Sequence, residues 1–312
     1  MRADMHTNVQ IALGVLLGVL VTATLLTWMV GRLRPHMELT EIRSRVRSWW
    51  VMAGLFGLAL SLERGWALSF FAWVSYLALK EYLSLIPTRQ ADRRVLLWAY
   101  AAIPLQYLWI YLGWYEAFLV LVPVFLFLAI PMRMVLIGET EGFLRAAGTI
   151  HWGAMVTIFS LGHVAYLLVL PASINPNGAG PGLVLFLVVL TQLNDVAQFL
   201  WGKAVGRARV MPTVSPNKTW GGLLGGVGTT VLLALACFRW LTPFGLREAL
   251  VAGLLISVSG FIGDVVISAV KRDLQVKDSG ALIPGHGGIL DRLDSLTFTA
   301  PLFFHFSVYL YS

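Results

Sequence analysis

What most limits the fold of this chain is a succession of apolar runs, most of them near twenty residues long, that fills most of its 312 residues. A hydrocarbon core about 30 Å thick takes about twenty helical residues to cross, and an ordinary soluble domain has no use for so many such runs. Only 12% of the residues are charged, against roughly 25% in soluble domains. The runs are continuous instead of alternating, which selects helices over a barrel. The expected fold class is therefore an all-α integral membrane protein, a polytopic helical bundle of about ten transmembrane helices.

Ten spans are expected at residues 9 to 30, 48 to 62, 67 to 86, 95 to 111, 117 to 137, 150 to 170, 182 to 201, 221 to 241, 247 to 267 and 295 to 311. The second and third are separated only by Glu63, Arg64 and Gly65, and Lys80 and Glu81 interrupt the third near its end. Residues 9 to 30 are long and are followed by an arginine-rich segment, which marks a retained first span instead of a cleavable signal. With ten spans, eighteen of the 23 Lys and Arg residues fall in one alternate set of loops and four in the other. The positive-inside rule then puts both termini outside and the long polar loops of the C-terminal half in the cytoplasm. Residues 1 to 181 are expected to form an N-terminal region of about six spans, and residues 182 to 312 a C-terminal transmembrane region with cytoplasmic loops 202 to 220 and 268 to 294.

The net charge of +7 is spread over short loops, a pattern that suits topology and anionic lipid and excludes a nucleic-acid surface. Cys237 is the single cysteine and lies in an apolar run, so neither an intramolecular disulfide nor a thiolate metal site is expected.

Against this background the segment 268 to 294, SAVKRDLQVKDSGALIPGHGGILDRLD, is an island of charge. Its carboxylates suit a divalent metal, its cations suit phosphate, and its glycines admit a ligand close to the backbone. Charged residues inside spans are expensive and mark function or a paired structural site. Asp195 and Asp264 are two such residues, and neither has an obvious basic partner in its own span. Asp264, Ser268 and Lys271 or Arg272 recur at helical spacing and share a face. Lys80 and Glu81 are read either as an interfacial ion pair or as something functional.

In the loop 202 to 222, four cations, Lys203, Arg207, Arg209 and Lys218, are placed to cradle a polyphosphate or simply to satisfy topology. Ser215-Pro216-Asn217-Lys218-Thr219-Trp220 carries more content than charge alone, but it is no P-loop. The glycines Gly221, Gly222, Gly225, Gly226 and Gly228 read as close helix packing. Asp291 and Asp294, three apart, are placed to share a helical face, and with Asp264 they would make an oxygen-rich site for Mg²⁺. His286 has no second ligand at zinc spacing, and it reads as a loop-ordering or phosphate-contacting residue.

Taken together, Ser268, Lys271-Arg272, Lys277-Asp278, His286-Gly287-Gly288, Asp291-Arg292 and Asp294 resemble the C-terminal signature of the CdsA-type phosphatidate cytidylyltransferases. Ser215 to Gly222 is similar to that family's second motif, and Asp195 to its upstream acidic position. The motif-bearing resemblance covers about residues 190 to 300. Asp195-Val196-Ala197-Gln198-Phe199 departs from the family's alanine-tyrosine pair after the aspartate, which suggests a divergent branch.

The resemblance implies transfer of CMP from CTP to phosphatidate or a related anionic lipid, in phospholipid biosynthesis, by a membrane-embedded enzyme. On that expectation Asp264, Asp291 and Asp294 hold Mg²⁺, and Asp195 or Asp278 completes a second cation site. Lys271, Arg272 and Lys218 neutralise phosphates. Ser215, Asn217, Thr219, Ser268, Lys277, Asp278, His286, Gly287, Gly288 and Arg292 contact substrate. A homodimer in the bacterial inner membrane, its active site facing the cytoplasm, completes the expectation. The competing classes are a CTP-dependent kinase of a lipid alcohol, which would release CDP, and an ion-coupled transporter using Asp195 and Asp264, against which the one-sided clustering of polar residues counts.

Overall fold

The structure, a computed structural model, describes residues 7–33, 39–89, 92–280 and 287–311. Ten long helices run through them: α1 (Thr7–Leu33), α2 (Thr40–Ser61), α3 (Arg64–Leu85), α4 (Arg93–Leu112), α5 (Tyr115–Val135), α6 (Phe143–Val169), α7 (Ala179–Val205), α8 (Trp220–Leu241), α9 (Leu246–Asp273) and α10 (Leu296–Tyr311). Each falls on one of the ten apolar segments. Seven among the described residues, α1 and α4 to α9, are long and apolar enough to cross a membrane. The other three fall short for local reasons. α10 has 16 residues, α2 opens through Arg43, Arg45 and Arg47, and α3 carries Lys80 and Glu81 near its end.

The protein is an all-α integral membrane protein in which, among the described residues, strand is confined to one small hairpin. β1 (Arg209–Met211) pairs antiparallel with β2 (Ser215–Thr219), Arg209 opposite Thr219 and Met211 opposite Ser215. This hairpin lies within the stretch expected to be only a polar loop.

The helix α7 is the central post. It buries Leu183 to Leu187, Leu190, Thr191, Asn194, Ala197 and Gln198, so most of its circumference is covered. α8 runs along both α7 and α9, α9 also packs on α10, and α6 packs on α7 and α10. Helices meeting in lipid gain mainly from close contact, so small residues belong at these seams. A Cβ on Gly222 would stand 2.7 Å from the Gln198 carbonyl oxygen, and one on Gly226 would overlap the Gln198 side chain. Gly221, Gly222, Gly225 and Gly226 are thus packing glycines, as their spacing indicated, whereas Gly228 faces open space. Asn194 fastens the same seam: its side chain accepts from Thr230 (3.1 Å) and Ser257 (2.9 Å) and donates to the Ser257 carbonyl (3.2 Å).

Candidate active site

The stretch Ser215 to Gly222 does three jobs in eight residues. Its first five form β2, Thr219 caps α8 by accepting from the Gly222 N–H at 3.1 Å, and the glycines bring α8 against α7. The consequence is the position of Lys218. Its ammonium stands 2.5 Å from Asp264 Oδ2 on α9, donates to Gln198 Oε1 on α7 at 3.0 Å, and lies 5.5 Å from the Phe261 ring centroid. The basic partner that Asp264 lacks in its own span therefore comes from the hairpin.

Asp264 is placed by its neighbour. A Cβ on Gly263 would come within 2.6 Å of the Asp294 carbonyl oxygen, so only glycine lets α9 approach the start of α10 this closely. Among the described residues between α9 and α10, one helical turn, Leu290–Leu293, precedes Asp294. Ser295 follows and donates to both carboxylate oxygens of Asp195 on α7, at 3.1 and 3.0 Å. Asp195, Asp264 and Asp294 are thus drawn from three elements to one place. Burial pushes the Asp294 carboxyl well above its ordinary pKa, and the neighbouring charges of Asp264 and Asp195 push the same way. For Lys218, burial opposes the charge, yet Asp264 and Asp195 outweigh it and the ammonium pKa ends above its usual value.

Of these groups Asp195, Lys218 and Asp264, but not Asp294, line a cleft of about 510 Å³ together with Gln198, Phe199, Gly202, Lys203, Ser215, Asn217, Thr219, Gly222 and Leu223. Polar groups meet apolar ones at its edge: Phe199 is exposed, as are Leu200 and Trp201 next to it in sequence and Trp220 and Leu224 next to the lining residues Thr219 and Leu223. Lys203 sits 4.5 Å from the Phe199 ring centroid.

The remaining predicted residues form a second cluster. Lys271 pairs with Asp291 at 2.7 Å, and the other Asp291 oxygen accepts from the N–H groups of Ser279 (2.8 Å) and Gly288 (3.0 Å). Burial works to raise the Asp291 pKa, but the Lys271 ammonium and the Gly288 and Ser279 N–H groups outweigh it and hold the carboxyl below its usual range. Gly287 has φ +79° and sits against Asp291, so this position requires glycine on both counts. Asp291 and Asp294, expected on one face, thus serve different neighbours. Arg272 donates to the Val214 carbonyl at 3.3 Å, tying the end of α9 to the hairpin turn, while Ser268 donates to Asp264 at 3.3 Å. The Arg292 carbonyl accepts from Gln192 at 3.3 Å. Lys277 and Asp278 are exposed, and His286 lies outside the described residues.

Among the described residues no three of these side chains already converge as a metal centre. The donor chemistry nevertheless divides them. Asp195, Asp264 and Asp294 set three carboxylates around one ammonium, an excess of negative charge that suits a divalent cation. Asp291 has its charge answered by Lys271 and two N–H groups, and it does not fit that role. Sequence reasoning singled out Glu81, as an ion-pair partner of Lys80 or as functional, without connecting it to this region, and it missed Ser295. A carboxylate within an apolar run was the available signal for Glu81, whereas Ser295 had none.

The fold and the cleft define a class: a helical membrane protein with a carboxylate and lysine site where a hairpin meets three helices. The chain belongs to the cytidylyltransferase family, whose model matches residues 43–310. It is 48% identical over 299 residues to "Uncharacterized protein YnbB" of Escherichia coli (strain K12), covering 96% of this chain and 98% of that one. It is also similar to the phosphatidate cytidylyltransferases of Staphylococcus aureus (strain COL), 40% identical over 121 residues, and of Synechocystis sp., 46% identical over 117. Those matches cover 38% and 37% of this chain, and 46% and 40% of the two enzymes, less than half of their length.

Proposed function

We propose that this protein is a phosphatidate cytidylyltransferase that transfers CMP from CTP to phosphatidate. A phosphate oxygen of phosphatidate attacks the α-phosphorus of CTP; the new P–O bond forms as the bond to the β-phosphate oxygen breaks, and pyrophosphate leaves with that electron pair. CDP-diacylglycerol is the lipid product. The observation that carries the reading is the cleft itself, with Lys218 paired to Asp264 beside Asp195 and an apolar edge at Phe199. One substrate is a soluble polyanion and the other a lipid, so a site serving both needs fixed cations and access from the bilayer.

In this reading Lys218 and Lys203 meet phosphate oxygens, and Thr219 keeps the lysine at the mouth of α8 through its cap. Ser295 orients Asp195 and Ser268 orients Asp264. Asp195, Asp264 and Asp294 would hold Mg²⁺, which supplies counter-charge to the triphosphate and polarises the phosphorus under attack. Phosphate is a competent nucleophile at neutral pH, so none of these residues is asked to act as a general base. The charge asymmetry of the loops supports a cytoplasmic site, which in a bacterium means the inner membrane.

The test is purified protein with labelled CTP and a panel of phospholipid and lipid-alcohol acceptors. Pyrophosphate release with label entering the lipid is expected with phosphatidate, lost on chelation and restored by Mg²⁺. Release of CDP with an unlabelled lipid product would overturn the assignment in favour of a lipid kinase.

A further inference from the structure

The carboxylate of Glu81 belongs to α3, far from the signature residues in sequence, yet it is built into their loop. Glu81 Oε2 accepts from the Ile289 N–H at 2.9 Å, and Oε1 accepts from the Leu290 N–H at 2.9 Å and from the Ser279 hydroxyl. Two glycines close over it. A Cβ on Gly280 would stand 2.8 Å from Oε2, and one on Gly288 would overlap the carboxylate outright. Among the described residues no ion pair joins Glu81 to Lys80. The charge is spent on the loop.

Ser279 and Gly288 have a second face. Their N–H groups both donate to Asp291, which pairs with Lys271 at the end of α9. The contacts therefore form a continuous chain: Glu81, then Ser279 and Gly288, then Asp291, then Lys271. At its origin Glu81 receives the first N–H groups of the turn Leu290–Leu293, groups that have no partner within the turn itself. An anion there is favoured by the local N–H dipoles, and it fixes where the turn begins. Where the turn begins decides where Asp291 points and, three residues on, where Asp294 enters the carboxylate cluster.

We propose that Glu81 is a positioning residue of the active site, a carboxylate from the N-terminal half that sets the geometry of the loop bearing Asp291 and Asp294. The inference rests on the cytidylyl-transfer reading for its activity test alone. The contacts stand independently of which lipid accepts the nucleotide.

The experiment takes the full-length protein in lipid nanodiscs as wild type, Glu81→Gln, Glu81→Asp and Ser279→Ala. Amide exchange is followed over 279–294, with the hairpin 209–219 as internal control, and CTP-dependent transfer to phosphatidate is measured in parallel. Glu81→Gln keeps the shape but loses the charge and one acceptor. It is expected to speed exchange in 287–293 while leaving 209–219 unchanged. The turnover number should fall about 10- to 100-fold, as for other residues that orient a ligand-bearing side chain, with KM for CTP within about twofold. Glu81→Asp should recover part of the turnover, and Ser279→Ala should cost only a few-fold, on the scale of one hydrogen bond of about 1 kcal/mol.

Unchanged loop exchange in Glu81→Gln would overturn the proposal, as would faster exchange with unaltered turnover. Should the wild type transfer nothing to phosphatidate while loop exchange still answers to Glu81, the positioning role stands and the assigned reaction falls.

Discussion

Helix α9 contributes to two lysine–aspartate pairs that look alike in a list of charges and differ in physics. Lys271 and Asp291 form a balanced unit: one ammonium, one carboxylate, two backbone N–H groups, and a carboxyl held below its usual pKa. Lys218 and Asp264 form an unbalanced one, because Asp195 and Asp294 crowd the same place and Asp294 is pushed well above its usual pKa. The first arrangement has the charge pattern of a structural lock. The second carries stored electrostatic strain of the kind expected where a ligand is to be received.

The sharpest way to break this comparison is to neutralise the unbalanced site. Asp264→Asn and Asp294→Asn are each expected to lower cytidylyl transfer at least about a hundredfold, since the charge answering the triphosphate is organised there. Asp294→Asn should also raise the melting temperature by about 2 °C, by removing a buried charge that its neighbours repel. The sign with pH follows from the raised pKa. The cost of the charged form is fully present above that raised pKa, shrinks as pH falls below it and is gone once pH is below the ordinary carboxylate range, so the stability gap between variant and wild type narrows on acidification. A melting temperature that drops in Asp294→Asn at neutral pH would place this site with the locks.

Lys271→Ala addresses the other pair and should behave in the opposite way. It strands Asp291, at 4% side-chain exposure, and is expected to cost about 2 to 3 kcal/mol, with the two N–H groups limiting the loss. Transfer should fall about tenfold through disorder of the loop, and Lys271→Ala with Asp291→Asn should recover much of the lost stability in a double-mutant cycle. The smallest effect is expected for Ser268→Ala. Its contact to Asp264 is 3.3 Å long, and about a twofold change in turnover with no shift in melting temperature is the expected reading.

Much of the site was legible before the fold was known. Asp195, Asp264, Lys218 and Asp294 stand out as polar residues in or beside apolar runs, and the resemblance of the signature to a cytidylyltransferase agrees with the family match. The pairing was not legible. Helical spacing tied Lys271 to the face of Asp264, yet Lys271 reaches Asp291 and leaves Asp264 to Lys218. The spacing of Asp291 and Asp294 suggested joint action on one ion, but the turn ends between them and α10 starts only at Leu296. The same limit applies to Glu81. As a carboxylate near the end of α3 it reads either as a partner of Lys80 or as functional, and only the packing of the turn Leu290–Leu293 against α3 revealed its partners.

The sequence by itself determined the solvent and the inventory: lipid, because nothing else accommodates such runs, and a set of carboxylates and cations in and beside the spans, which are too costly there to be idle. The tertiary structure alone decided the accounts between charges. A carboxylate's role depends on which counter-charges and N–H groups reach it within a few ångströms. Here those groups come from residues 20, 46 and some 200 positions away, brought in by glycine seams between helices and by one hairpin.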